Sequence, residues 1–207
     1  MKRIFKICTV AGAILFIVGM GLSAFGARSG ESGRLGGGET ALSGQALESA
    51  ADANSLDIDL TAAHLQIVPG DTFSVSFGGR ISRYIRYDTN GGVFTLRDTM
   101  NKNTWGYRWW KKASDEDLKV KITVPEGKTY DRVNVEAGVG EFTMRNVTAD
   151  QIDIGAGVGE SMLENITART LEIGGGVGEV KARGLTVTEK TEVETGVGKL
   201  DIQGDLR

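Results

Sequence analysis

Seven side chains between Asn101 and Ser114 form the densest concentration of recognition chemistry in the chain: Trp105, Tyr107, Arg108, Trp109, Trp110, Lys111 and Lys112. All three tryptophans of the 207 residues fall there. Aromatic faces stack on sugar rings, and amphipathic aromatics beside cations suit bilayer headgroups, so the stretch reads as a contact loop. The same rings would equally serve as a hairpin covering a face or edge of a β core, because large aromatics bury readily. Binding is assigned to these seven positions, with the contact and cap readings both open.

Nothing elsewhere spells out a reaction. His64 is the only histidine, set between Ala63 and Leu65 on an expected strand, and reads as a structural or surface side chain. Without a second histidine or a reactive cysteine, no histidine-rich metal site and no Cys-His pair can be assembled. The single cysteine, Cys8, also excludes an internal disulfide. Gly155, Gly157 and Gly159 imitate a dinucleotide fingerprint, but no helix follows them and the same glycines return later, so they are corners. Gly198 and Lys199 lack the rest of a phosphate loop. A carboxylate-pair glycosidase stays as the enzymatic alternative, since acidic residues are plentiful. No catalytic residue, metal site or cofactor is assigned.

Those features must be positioned by a repeat. Gly138-Val139-Gly140 recurs at 157–159, 176–178 and 196–198, in steps of 19, 19 and 20 residues. A period near 20 points to a solenoid of stacked turns. Superimposing the repeats gives apolar columns expected to face inward: Val133, Ile152 and Leu171; Val135, Ile154, Ile173 and Val193; Val139, Val158, Val177 and Val197. Further inward columns are Phe142, Ser161, Val180 and Leu200; Met144, Leu163, Ala182 and Ile202; Val147, Ile166 and Leu185; and Ala149, Ala168 and Val187. Period-two alternation makes these strands with one buried face, and its phase slips three times per turn. A slip would throw the apolar set outward, so each marks a bend, giving one long face and two short ones. Asn146, Asn165, Gly184 and Gly204 share a corner column, where a left-handed conformation is needed.

Outward columns carry charge. Arg145, Glu164, Arg183 and Gln203 alternate, which predicts ion pairs between turns, each contributing about 0.2 to 1 kcal/mol. Asn134, Asp153, Glu172 and Glu192 do not alternate, nor do Glu141, Glu160 and Glu179 before Lys199. Stacked carboxylates offer oxygen ligands to calcium, but no aspartate-rich loop accompanies them, and a solvated acidic face is preferred.

Along the chain, Lys2, Arg3 and Lys6 precede an apolar run from Ile7 to Ala27. About 20 such residues span a bilayer core with the positive flank in the cytoplasm. Residues 1–27 are therefore read as a transmembrane anchor, with a cleaved signal peptide as the competing reading. Residues 28–54 form a Gly/Ser-rich linker reaching roughly 25 to 30 Å, with a helical turn or two over 39–52. The solenoid domain runs from 55 to 207. Its opening strands are expected around Leu56–Leu60, Leu65–Ile67, Phe73–Phe77, Ile81–Tyr87, Val93–Arg97 and Leu118–Val124, as less regular first turns. Thirty glycines with two prolines suit such corners. The net charge of −3 argues against nucleic-acid binding.

The apolar N-terminus, the glycine-rich stalk, the Leu56 to Ile67 opening, the strand Leu118 to Val124 closed by Pro125, and Val133-Asn134-Val135-Glu136-Ala137-Gly138 followed by turn upon turn resemble the bacterial putative-adhesin family. The resemblance covers about residues 55–204 and implies a β-solenoid facing outward from the membrane, with no catalytic residues to carry over. The expectation is thus an all-β, single-stranded parallel β-solenoid behind one transmembrane helix. It would act as an envelope module that binds or scaffolds, contacting the membrane, an envelope polysaccharide or an envelope protein. The alternative is an accessory or sensory component of an envelope-stress system.

Overall fold

A computed structural model describes residues 40–41, 45–79, 81–100 and 115–207. The expected anchor over 1–27, most of the linker and the loop at 101–114 lie outside the described residues. Among the described residues no helix is long and apolar enough to cross a membrane.

The strands follow the alternation. In β2 (Ser55–Ala62), Leu56, Ile58 and Leu60 are buried and the residues between them are half-exposed, so one pleat face feeds the core. The same rule builds β3 (His64–Gly70), β6 (Val93–Asp98), β7 (Lys119–Pro125), β8 (Thr129–Val139), β9 (Phe142–Arg145), β10 (Thr148–Glu164) and β11 (Thr167–Asp205). Residues about 19 apart become parallel neighbours: Ile152 pairs with Val133 on one side and Leu171 on the other. The core is therefore a set of continuous columns. One runs Phe94, Leu56, Val133, Ile152, Leu171, and the next runs Leu96, Ile58, Val135, Ile154, Ile173. All ten are buried, each apolar side chain contributing on the order of 1.5 to 3 kcal/mol.

Asn146 and Asn165 adopt φ of 51° and 54°, and Gly184 follows with 65°, so the expected left-handed corner is present in three tiers. The Asn165 amide donates to Asn146 Oδ1 at 3.1 Å, tying those corners together. Gly204, in the same column, is not left-handed. Between tiers, Arg145 pairs with Glu164 at 2.7 Å, as the alternating charges predict. Arg169 and Glu189 form a second such pair at 2.7 Å.

Three expectations are corrected. The sheet is mixed rather than wholly parallel: β5 (Ile85–Asn90) runs antiparallel on β6, β4 (Ser74–Phe77) antiparallel on β7, and β1 (Thr40–Ala41) antiparallel on β4. For β5 and β6 a short connection explains this, because a two-residue turn joins only antiparallel strands. Gly91 and Gly92, at φ of 57° and 78°, make that turn between β5 and β6. Tier order also departs from chain order. β2 lies between β6 and β8, and β3 between β7 and β9, so β2 and β3 form the second tier and β6 and β7 the first. The chain reaches the first tier by its antiparallel strands, then passes over the second to start the third.

The third correction concerns the valine column. Val139, Val158, Val177 and Val197 are 38%, 51%, 52% and 69% exposed, so they stack as vertical neighbours but point outward. Local details also shift. Residues Ile81–Arg83 and Asp115–Leu118 form short 3-10 turns, each delaying its strand. A helix, α1 (Gln45–Ala51), occupies the linker stretch where a helical turn is expected.

Candidate functional site

The repeated Gly-Val-Gly phrase is a corner in which backbone packs on backbone. A Cβ on Gly157 would stand 2.2 Å from the Gly138 carbonyl oxygen, and one on Gly176 would stand 2.3 Å from that of Gly157. Real side chains are not accommodated at such distances, so glycine on both sides of each valine is a packing requirement. With both flanking positions bare, nothing shields the valine between them. The result is a ridge of four valines with steps of about 4.8 Å, the spacing of paired strands.

Two residues beyond each valine lies a second column: Glu141, Glu160, Glu179 and Lys199. Glu141 Oε2 lies 3.7 Å from His64 Nδ1, and Glu179 pairs with Lys181 at 2.9 Å. The Lys181 ammonium, bonded to the Glu179 carboxyl, holds that carboxyl below its ordinary range. Glu141 and Glu160 are exposed. A shallow cleft lies beside Val177 and Val197, lined by Ala156, Ser161, Gly175 and Val180, with about 10 Å³ of enclosed space. Against the roughly 300 to 1,000 Å³ of small-molecule sites it has room for about one water, and not for a ligand or a side chain.

The other acidic column is largely engaged. Asp57 accepts from Arg97 at 2.7 Å and from Asn134 at 2.9 Å, Gln151 reaches Asp153 at 3.1 Å, and Lys190 holds Glu192 at 2.5 Å. Glu172 sits in this column with its carboxyl raised by burial first, and then by the charges of Asp153 and Glu192. Among the described residues no group of three or more His, Cys, Asp or Glu side chains is arranged to hold a metal ion.

The seven candidate binding residues, Trp105, Tyr107, Arg108, Trp109, Trp110, Lys111 and Lys112, lie outside the described residues. Their roots do not. At the departing root, Asp98 accepts hydrogen bonds from the Thr61 N–H and, at 2.9 Å, from the Met100 N–H. Burial raises the Asp98 carboxyl above its usual range, and these two donors oppose the shift. Thr99 donates to the Tyr84 carbonyl through its N–H at 2.9 Å and its hydroxyl at 3.1 Å. At the returning root Leu118 is buried, and Lys119 is in register with His64.

Both roots therefore bracket Thr61 to His64. That segment is the second-tier counterpart of the valine corner, because Ala62 pairs with Val139 and the Ala63 N–H donates to the Val139 carbonyl at 3.0 Å. Sequence reasoning placed the ridge inside; the signal that locates it outside is the glycine on each side of every valine.

The geometry defines a class of fold, a column-built β stack with an exposed repetitive ridge at one corner. The chain belongs to the Toastrack family, DUF4097, which matches residues 53–204. Its fold is similar to that of a putative cell adhesion protein from Clostridium sporogenes, at 14% identity and a TM-score of 0.54, covering 81% of this chain and 99% of that one. A putative adhesin from Bacteroides fragilis aligns at 12% identity over 74% of this chain and 92% of its own, with a TM-score of 0.36. A putative lipid binding protein from Parabacteroides distasonis aligns at 11% identity over 82% of this chain and 96% of its own, with a TM-score of 0.31. No curated protein matches the chain.

Proposed function

We propose that the protein is a binding or scaffolding module of the bacterial cell envelope, held by its N-terminal apolar segment and facing outward. In this reading the corner is the contact surface, and the aromatic and basic residues of 101–114 add to the binding. The observation that carries the reading is the valine ridge. Four apolar side chains repeat in register on the outside of the fold, and contiguous exposed apolar surface marks interaction sites. A regular ladder suits a long or repetitive partner better than a small molecule. The names of the similar structures, which include adhesion proteins, point the same way.

The test is retention of the full-length chain, kept in detergent, on cell envelopes already stripped of lipid by the same detergent, so that the N-terminal segment finds no bilayer to enter. Replacing Val158 and Val177 with Lys should abolish retention while circular dichroism stays unchanged, and replacing Trp109 and Trp110 with Ala should weaken it. Retention of both variants at the level of the parent protein would end the reading.

A further inference from the structure

The ridge also carries information about the chemistry of its occupant. Two features meet on the third and fourth tiers: the outward Val139 and Val158, and the exposed Glu141 and Glu160 two residues further along each strand, whereas Lys199 takes the equivalent place in the sixth tier. On the other side of the valines Glu136 and Glu194 hold the equivalent positions in the third and sixth tiers, with Gly155 and Gly174 between them and the Glu136 carboxylate lying against Gly155, so carboxylates border the ridge on both sides. Lys181 engages Glu179, which leaves Glu141 and Glu160 as the exposed acidic groups of the column. No aromatic platform for sugar stacking lies among the residues lining the cleft.

Resting on the reading of this corner as a contact surface, we propose that its occupant is a polypeptide segment bearing apolar side chains flanked by lysine or arginine. The apolar side chains of that segment lie along the valines, and its cations face Glu141 and Glu160. Opposite charges at such a rim select the partner more than they add to affinity. The apolar contacts supply the attraction, because burying the valines removes apolar surface from water. A polymer of sugars would find neither stacking rings nor a hydrogen-bonding groove on this stretch, and an acidic segment would be repelled.

The experiment uses the full-length chain in zwitterionic detergent and three labelled synthetic peptides, of repeated Leu-Lys, Leu-Glu and Ser-Lys, with binding read by fluorescence anisotropy. The Leu-Lys peptide should bind, and its affinity should fall about tenfold in Glu141→Gln/Glu160→Gln and fall further as salt is raised, as screening requires. Leu-Glu and Ser-Lys should each bind at least about tenfold more weakly, a loss equivalent to about 1.4 kcal/mol. Equal binding of Leu-Glu, indifference to the two Gln substitutions, or no binding of Leu-Lys would overturn the assignment. If Val158→Lys/Val177→Lys loses envelope retention while no peptide binds, the corner remains the contact surface and only the proposed occupant fails.

Discussion

The carbonyl oxygen of Gly159 lies so close beneath Gly178 that a Cβ on Gly178 would stand 1.8 Å from it. Gly178 also adopts a φ of 146°, a conformation L side chains rarely reach. Gly178→Ala should therefore force the two tiers apart and cost about 3 kcal/mol or more, in the class of severe backbone substitutions. Gly91 is the control. It too has positive φ, 57°, but a Cβ there meets nothing within 4 Å, so Gly91→Ala should cost only about 1 to 2 kcal/mol. Urea denaturation of both variants gives the comparison, and equal losses would contradict the stacked corner.

Exposure of the valine column makes a second prediction, one that separates two residues only four apart. Val177 points outward and Ile173 lies at 1% exposure in the core. Val177→Ser should change stability by no more than about 0.5 kcal/mol, as surface substitutions do. Ile173→Ala should cost about 2 to 5 kcal/mol, because it removes buried methyl groups and leaves a cavity between Ile154 and the next tier. Thermal melts of the two variants settle it; a large loss at Val177 would return that column to the core.

The contrast shows what the amino-acid pattern could and could not reveal. Spacing of 19 residues made Ile152 and Leu171 neighbours on paper as they are in the fold, because parallel in-register pairing preserves sequence offset. Strand parity then placed Val139 inward, since it shares the parity of Val133 and Val135. Parity holds only while the strand stays straight, and the chain leaves the core after the half-buried Ala137, where Gly138 begins to pack on the Thr61 backbone. The order of the early tiers was illegible for a different reason. Any two alternating strands can pair in parallel, so nothing in Leu56-Asp57-Ile58 says that it sits between Phe94 and Val133. The glycine corners and the Asn146 and Asn165 turns were legible because they are steric requirements of single residues.

Tyr130 is 1% exposed, and its hydroxyl has no hydrogen-bond partner among the described residues. An unsatisfied buried polar group is destabilising, so Tyr130→Phe should stabilise the fold by about 0.5 to 1 kcal/mol. The ring would remain beneath Lys128, whose ammonium lies 5.0 Å from its centroid and donates to the Ala51 carbonyl at 2.6 Å. Burial pushes the Tyr130 hydroxyl up to about 12. Its ionisation is thus disfavoured in the fold, and stability present below the unfolded value near 10 is lost as pH rises towards 12. The advantage of Phe should widen across that range in melts taken at pH 8 and pH 11. A Phe variant less stable than the parent would show that the hydroxyl is satisfied after all.

Glu172 tests the engaged acidic column from the other side. Its carboxyl is raised, first by burial and then by Asp153 and Glu192, with Lys190 acting in opposition. For an acid raised in the folded state, the charged form is the disfavoured one. Stability is therefore fully present below the unfolded value of 4.5 and is lost as pH rises through the folded one. At neutral pH the charge is a small burden that Glu172→Gln removes. Because the side chain is exposed, solvent screening limits the gain to below about 0.5 kcal/mol. The Gln variant should melt slightly above the parent at pH 7, converge with it below pH 4, and lose its advantage in high salt, where the neighbouring charges are screened. A Gln variant that melted below the parent at pH 7 would mean that the Glu172 carboxylate is held by a favourable partner, and the column would have to be read as attractive throughout.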